Sequence, residues 1–370
     1  MKNIVNLGNV ATYINGYAFK PSDWAEDGTP IIRIQDLTGN SYQMNRFKGI
    51  VDSKYDVNSG DVLISWSASL GVYVWNRGNA VLNQHIFKVV FDKEEVDKDF
   101  FVFQIDNLLK RAANQAHGAT MRHLTKPVFD ALPFYLPDIK TQRLISSKLN
   151  LIVHLIEDHH EQLKKLDELI RSRFLEMFGM SEGIDKHLED VADICSGITK
   201  GRKVLGLELR EVPYMAVSNV KMGYIDLSTV KTIMATENEI EQYRLFPNDI
   251  LMTEGGDPDK VGRGAIIRNP PKDCIHQNHI FRVRLHKDVL LPEFFEEYLQ
   301  GNSARRYFLK AAKQTTGIAS INMKQLRALP VKIPPIKVQI QYSDFVHQVD
   351  KSKYREAIFL YLLEDVLHML

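Results

Sequence analysis

Two acid-free stretches concentrate this chain's cationic side chains. From Asn107 to Phe129 there is no Asp or Glu, while Lys110, Arg111, Arg122 and Lys126 are present with His117 and His123. From Tyr298 to Ser343 there is again no acid, and Arg305, Arg306, Lys310, Lys313, Lys324, Arg327, Lys332 and Lys337 accumulate. Each stretch holds a small polar turn, Ala116 to Thr120 in the first and Gln314 to Asn322, with Thr315, in the second. Lysine and arginine supply charge to phosphates, and glycine and hydroxyl residues let a backbone approach closely. One basic run is usually a solvated face; two at matching positions of a repeat point to nucleic acid.

A second pair of loops differs between the halves. Ser65, Trp66 and Ser67 open an aromatic, hydroxyl-rich loop that runs to Gly71, whereas Thr253 to Arg263 is glycine-rich and charged. Gln84, Arg263, Gln277 and Asn278 carry side chains suited to base edges. For Gln84, His85, Gln277 and His279 the plainer reading is a buried polar residue bonded to backbone. A shared frame with differing loops is what two recognition modules with different targets require.

Catalytic signals are incomplete. Asn269-Pro270-Pro271-Lys272 is similar to the Asn-Pro-Pro-aromatic motif of DNA amino-methyltransferases, but lysine stands where a ring must stack on the flipped base. No glycine-rich loop after a strand suits S-adenosylmethionine, and no Walker-type loop suits ATP. Pro258-Asp259 lacks a following acid-x-Lys pair, and His159-His160 lacks a ligand one helical turn away. Cys195 and Cys274 have neither metal nor redox spacing. No catalytic residue, cofactor or metal is expected, so the chain is read as non-enzymatic.

Long helices and a repeat must position these groups. Ile139 to Gly179 has no proline and no glycine before its end. Ile145, Leu149, Ile152, Ile156, His159, Leu163, Leu166, Ile170, Arg173 and Met177 recur at steps of four and three. That is a heptad seam, polar only at His159 and Arg173, and it predicts a long helix needing a partner. At about 1.5 Å per residue it is roughly 50 Å long. A second helix from about Gln339 to Leu370 repeats the steps through Tyr342, Val346, Val349, Leu360, Leu363 and Leu367, weakened at Lys353 and Glu356.

The repeat covers both halves. Val10 to Gly16 parallels Val191 to Gly197, and Pro30 to Ile34 parallels Pro213 to Val217. Gly60-Asp61-Val62-Leu63-Ile64-Ser65 parallels Asn248-Asp249-Ile250-Leu251-Met252-Thr253. Asn83 to Phe87 parallels Gln277 to Phe281. A Leu-Pro-x3-Pro-x4-Gln motif precedes each long helix, ending at Gln142 and Gln339. Helical segments are expected near Asp99–Ala116 and Pro292–Lys313. The fold class is α+β: two pseudo-repeated mixed domains, residues 1–138 and 184–335, joined by two long helices, 139–183 and 336–370, as an antiparallel coiled coil.

The 370 residues are 44% hydrophobic and 25% charged, the balance of a soluble globular protein. No apolar run reaches the roughly 18 residues of a membrane span. The opening MKNIVNLGNV lacks the regions of a signal peptide, so a reducing, cytoplasmic location is expected. A net charge of +1 announces no partner, which is why the local charge matters.

Taken together, these motifs resemble the DNA specificity subunits of type I restriction-modification systems over nearly the whole chain. The resemblance rests on the two Asp-containing strand motifs, the paired Asn-Gln-His-Ile-Phe and Gln-Asn-His-Ile-Phe segments, and the two Leu-Pro motifs before long helices. It implies two target recognition domains, each reading half of a bipartite double-stranded DNA sequence. It further implies that the helices act as a spacer and dock two methyltransferase subunits, with restriction subunits joining the complex. One DNA turn is about 34–36 Å, so half-sites about a turn apart suit a helix of this length. The Ala116 to Leu124 turn is about two residues longer than its counterpart, so family positions there transfer loosely. The alternatives are a type II specificity subunit and a coiled-coil scaffold carrying two protein-binding domains.

Overall fold

The computed structural model describes residues 3–40, 43–67, 69–115, 125–179, 183–203, 206, 208–257, 260–315 and 318–369. The chain forms two compact units, Met1–Asp158 with Leu360–Leu370, and His159–Phe359. Both long helices contribute to both units.

In the first unit a four-stranded antiparallel sheet has the order Thr12–Asn15, Ile86–Val90, Val62–Ser65, Gly71–Val74. Beside it, Thr29–Ile32 pairs in parallel with Ala80–Leu82 through Ile31 and Val81. Ile4–Asn6 pairs antiparallel with Pro133–Tyr135. The second unit repeats each feature. Its sheet runs Ala192–Ser196, Ile280–Leu285, Asp249–Thr253, Gly264–Ile267. Arg210–Met215 pairs in parallel with Ile275–His276, and Ile184–His187 pairs with Pro330–Ile333.

The repeated motifs have physical causes. Val62–Ser65 and Asp249–Thr253 are buried along their whole length, in keeping with their unbroken apolar centres Val62-Leu63-Ile64 and Ile250-Leu251-Met252. Gly60 and Asn248 stand at the same turn with φ of +99° and +74°, a left-handed conformation that glycine and asparagine tolerate best. The next residue closes the turn: Asp61 accepts from the Asn58 N–H at 2.9 Å, and Asp249 from the Phe246 N–H at 2.8 Å. Gly16 and Gly197 answer to close approach. A Cβ there would lie 2.0 Å from the Asn83 carbonyl oxygen and 1.9 Å from that of His276.

Helices cover these sheets. Lys98–Gln115 places Phe100, Phe101, Ile105 and Leu109 in the first core with Tyr13, Phe87, Phe129 and Phe134. The second unit differs from the sequence expectation of one segment over Pro292–Lys313. Pro292–Gln300 and Asn302–Ala311 are separate helices, because Gly301 takes an extended conformation and caps both. Lys313 then begins a strand. Phe294, Phe295 and Phe308 from these helices pack with Ile250, Phe281 and Val283.

The central helix spans Ile139–Phe178 and the terminal helix Ile336–Met369. Each is anchored by the glutamine of its Leu-Pro motif. The Gln142 amide donates to the carbonyls of Glu95 and Pro137 and accepts from the Asp97 N–H. The Gln339 amide donates to Val289 and Pro334 and accepts from the Leu291 N–H. Within the second unit the helices pack antiparallel as a coiled coil: His159 meets Glu356, Asp167 meets Lys353, and Phe178 meets Tyr342.

Candidate nucleic-acid interface

The second unit brings its two polar loops to one place. Asn302–Ala311 is amphipathic: Ala304 and Phe308 face the core, while Arg305, Arg306 and Lys310 are exposed. Its chain continues into Lys313–Thr315, which pairs antiparallel with Ile318–Ser320. That strand pairs in turn with Gly255–Gly256 from the charged loop. Val261 is buried in the same core as Phe308, and a Cβ on Gly262 would strike the Phe308 ring at 2.3 Å. The loop from Thr253 to Arg263 is therefore tied to the basic helix and hairpin by main chain and packing.

These cations are available to an external anion. Among the described residues, Arg305, Lys310, Lys313, Lys324 and Arg327 are exposed and enter no ion pair. Arg306 is exposed, and its Nε donates to the Asn302 carbonyl. Arg263 is half-buried, and its Nε has no hydrogen-bond partner. Asp257 is ion-paired with Lys260, which holds its carboxyl below the usual range.

Other candidates lie at strand ends, bridges and a helix cap. Ser65 and Thr253, expected among the contacts, are buried at strand ends, Ser67 is buried two residues past its strand, and Ser65 Oγ donates to the Ser67 carbonyl. Thr253 Oγ1 is buried with no hydrogen-bond partner. Asn322 caps the helix Met323–Arg327 in a reciprocal pair with Gln325. The Asn-x-x-Gln spacing is itself a capping-box signal. Gln84, Gln277 and Asn278 are half-buried at parallel bridges, Tyr17 to Asn83 and Ile198 to Gln277. Thr315 lies in its strand; its side chain, like Arg122 and the turn from Ala116 to Leu124, is outside the described residues.

In the first unit the acid-free window is less free than its sequence. Lys110 pairs with Asp106 at 2.7 Å and Lys126 with Asp130 at 2.6 Å, both one helical turn away and just beyond the window's edges. Arg111 is exposed. Trp66 lies with its ring stacked at 5.6 Å on Phe87, and its Nε1 donates to Asn15 Oδ1 at 3.3 Å.

Three titratable groups away from this surface are shifted by burial. His276 is fully buried, its Nδ1 donates to the Tyr243 carbonyl, and burial pushes its pKa down to about 4. Burial pushes the Cys274 thiol up to about 12, and Cys195 is raised too. Both thiols are thus held protonated at neutral pH, unsuited to nucleophilic attack. Among the described residues no group of three His, Cys, Asp or Glu side chains could hold a metal, and no helix is long and apolar enough to cross a membrane.

Comparison with known proteins agrees with this architecture. The EcoBI type I restriction enzyme specificity subunit of Escherichia coli is 22% identical over 93% of this chain and 78% of its own length. The EcoKI specificity subunit of Escherichia coli strain K12 is 21% identical over 94% of this chain and 81% of its own. A solved structure described as the structural basis of complex assembly and conformational transition of the type I R-M system superposes with a TM-score of 0.63. It has 15% identity and covers 99% of this chain and 95% of that one. The type I family match leaves the type II assignment without support. Residues 2–168 and 182–357 each match the type I restriction modification DNA specificity domain, and the chain belongs to that family.

Proposed function

We propose that this chain is the DNA specificity subunit of a type I restriction-modification complex in the cytoplasm. Residues 1–138 and 184–335 each read one half of a bipartite double-stranded target. The helices, 139–183 and 336–370, set the gap and dock two methyltransferase subunits; restriction subunits complete the assembly. The observation that carries this reading is one frame built twice, with the same sheet order and parallel pair, carrying unlike loops. Arg305, Arg306, Lys310 and Lys313 hold phosphates in the second domain. Chemistry on adenine belongs to the methyltransferase, which carries S-adenosylmethionine. Docking is supported by apolar side chains left exposed along the long helices, among them Leu144, Leu151, Tyr354, Tyr361 and Leu362.

The test is a base-resolution adenine methylation map with and without this chain, its methyltransferase co-expressed. Loss of one bipartite motif is the expected result. An unchanged map with an active methyltransferase overturns the reading in favour of a protein scaffold. Replacing residues 1–138 with another member's domain changes one half-site only. Inserting a helical turn before Leu163 changes the gap length.

A further inference from the structure

We infer that Glu254 and His279 form a base-reading pair in the second domain, directed at one strand position whose base, cytosine through N4 or adenine through N6, presents an exocyclic amino group where guanine and thymine present an acceptor. This rests on the DNA-reading proposal above.

The first observation is position. The Glu254 N–H donates to the His279 carbonyl at 3.0 Å, and the Glu254 carbonyl accepts from the Ile321 N–H at 2.8 Å. The adjoining Gly255–Gly256 pairs with Ala319 and Ser320, and Ser320 pairs onward with Lys313. Glu254 therefore stands where the charged loop, the Gln277-Asn278-His279 turn and the basic hairpin meet.

The second observation is charge. The stretch from Tyr298 to Ser343 has no acid, and Asp257 is neutralised by Lys260. A carboxylate beside such a surface repels phosphate. It gains from DNA only by accepting hydrogen from a base amino group. Glu254 Oε2 lies 2.6 Å from His279 Nδ1, with the side chains 35% and 57% exposed. A carboxylate can only accept, so Nδ1 carries the proton. Glu254 Oε1 remains to face a ligand, while His279 Nε2 accepts from Asn278 Nδ2 at 3.5 Å. So exposed a contact holds little of the fold together.

The third observation is the repeat. Trp66 occupies the same place in the first domain: its backbone N–H donates to the His85 carbonyl at 3.4 Å, and the two rings are 5.2 Å apart. His85 itself has φ of +75°. One backbone position thus carries an indole in one half and a carboxylate in the other, each against the histidine of its own repeat, His85 or His279. That is where modules of one frame can diverge in target.

The experiment uses the assembled complex with its methyltransferase and a duplex library randomised in both half-sites. Glu254→Gln and, separately, His279→Asn are scored for selectivity and melting temperature. The expected result is loss of about 5- to 150-fold discrimination at one base pair of one half-site, with the other half-site and the melting temperature unchanged. Glu254→Asp, which keeps the charge, retains part of that selectivity. An unchanged library profile, or an equal loss across all sequences, overturns the assignment. A native complex that selects no bipartite motif overturns the DNA-reading proposal itself, and this one with it.

Discussion

His159 Nδ1 stands 2.5 Å from Glu356 Oε2, joining two residues that each interrupt an apolar heptad seam. The interruptions answer one another across the helix pair. Lys353, the other break in the terminal helix, meets Asp167 at 2.6 Å, and Arg173 lies over the Phe345 ring. Paired polar residues in a seam cost stability and specify register. His159→Leu strands the Glu356 carboxylate and destabilises the second unit by about 1–3 kcal/mol. Adding Glu356→Leu restores most of that loss. A double-mutant cycle by denaturant unfolding checks this, and additive effects would mean that the pair is not coupled.

Gln339 is fully buried and satisfies three backbone groups at the start of the terminal helix. Gln339→Ala leaves two carbonyls and one N–H unpaired, at a cost of about 2–4 kcal/mol. Gln142→Ala does the same at its own site. Hydrogen exchange is expected to rise around Val289 and Leu291 in the first variant and around Asp97 in the second. Exchange that rises equally at both sites in either variant would contradict independent anchors.

Much of the fold was legible because its repeated motifs are physical requirements. Gly60 and Asn248 mark a left-handed turn, Gly16 and Gly197 a close backbone approach, Gln142 and Gln339 a helix anchor. The site was less legible. Counting acids along the chain missed Asp106 and Asp130, which reach Lys110 and Lys126 through the helical period. The joining of the charged loop to the basic hairpin is a strand pairing between residues about sixty apart, recorded by no local pattern. The break at Gly301 reflects packing of two short helices, which periodicity alone ran together.

Glu296 gives the second unit a pH dependence. It accepts from the Ile266 N–H at 2.7 Å, and burial raises its carboxyl from 4.5 to about 7, against the pull of Arg268. The folded state then holds a proton that the unfolded chain releases. The resulting stabilisation is full below about pH 4.5 and is lost as pH rises through about 7. Glu296→Gln mimics the protonated form. Its melting temperature is expected to rise relative to the native chain between pH 5 and pH 8, by an amount on the order of 1–3 kcal/mol of stability. Parallel melting curves against pH would show that Glu296 titrates alike in both states.

Arg305, Arg306, Lys310 and Lys313 follow one another along the exposed face of one helix and the strand after it. Replacing all four with glutamine removes cations that lie outside the core, so folding is expected to persist. If each meets a phosphate, binding weakens for every DNA sequence alike, and the slope of log affinity against log salt falls by about 0.9 per contact. Selectivity within each half-site is retained, because phosphate contacts carry no base information. Titrations of the assembled complex at several salt concentrations decide this. An unchanged slope would mean that these four residues are merely solvated, and the phosphate contacts would have to be sought elsewhere in the domain.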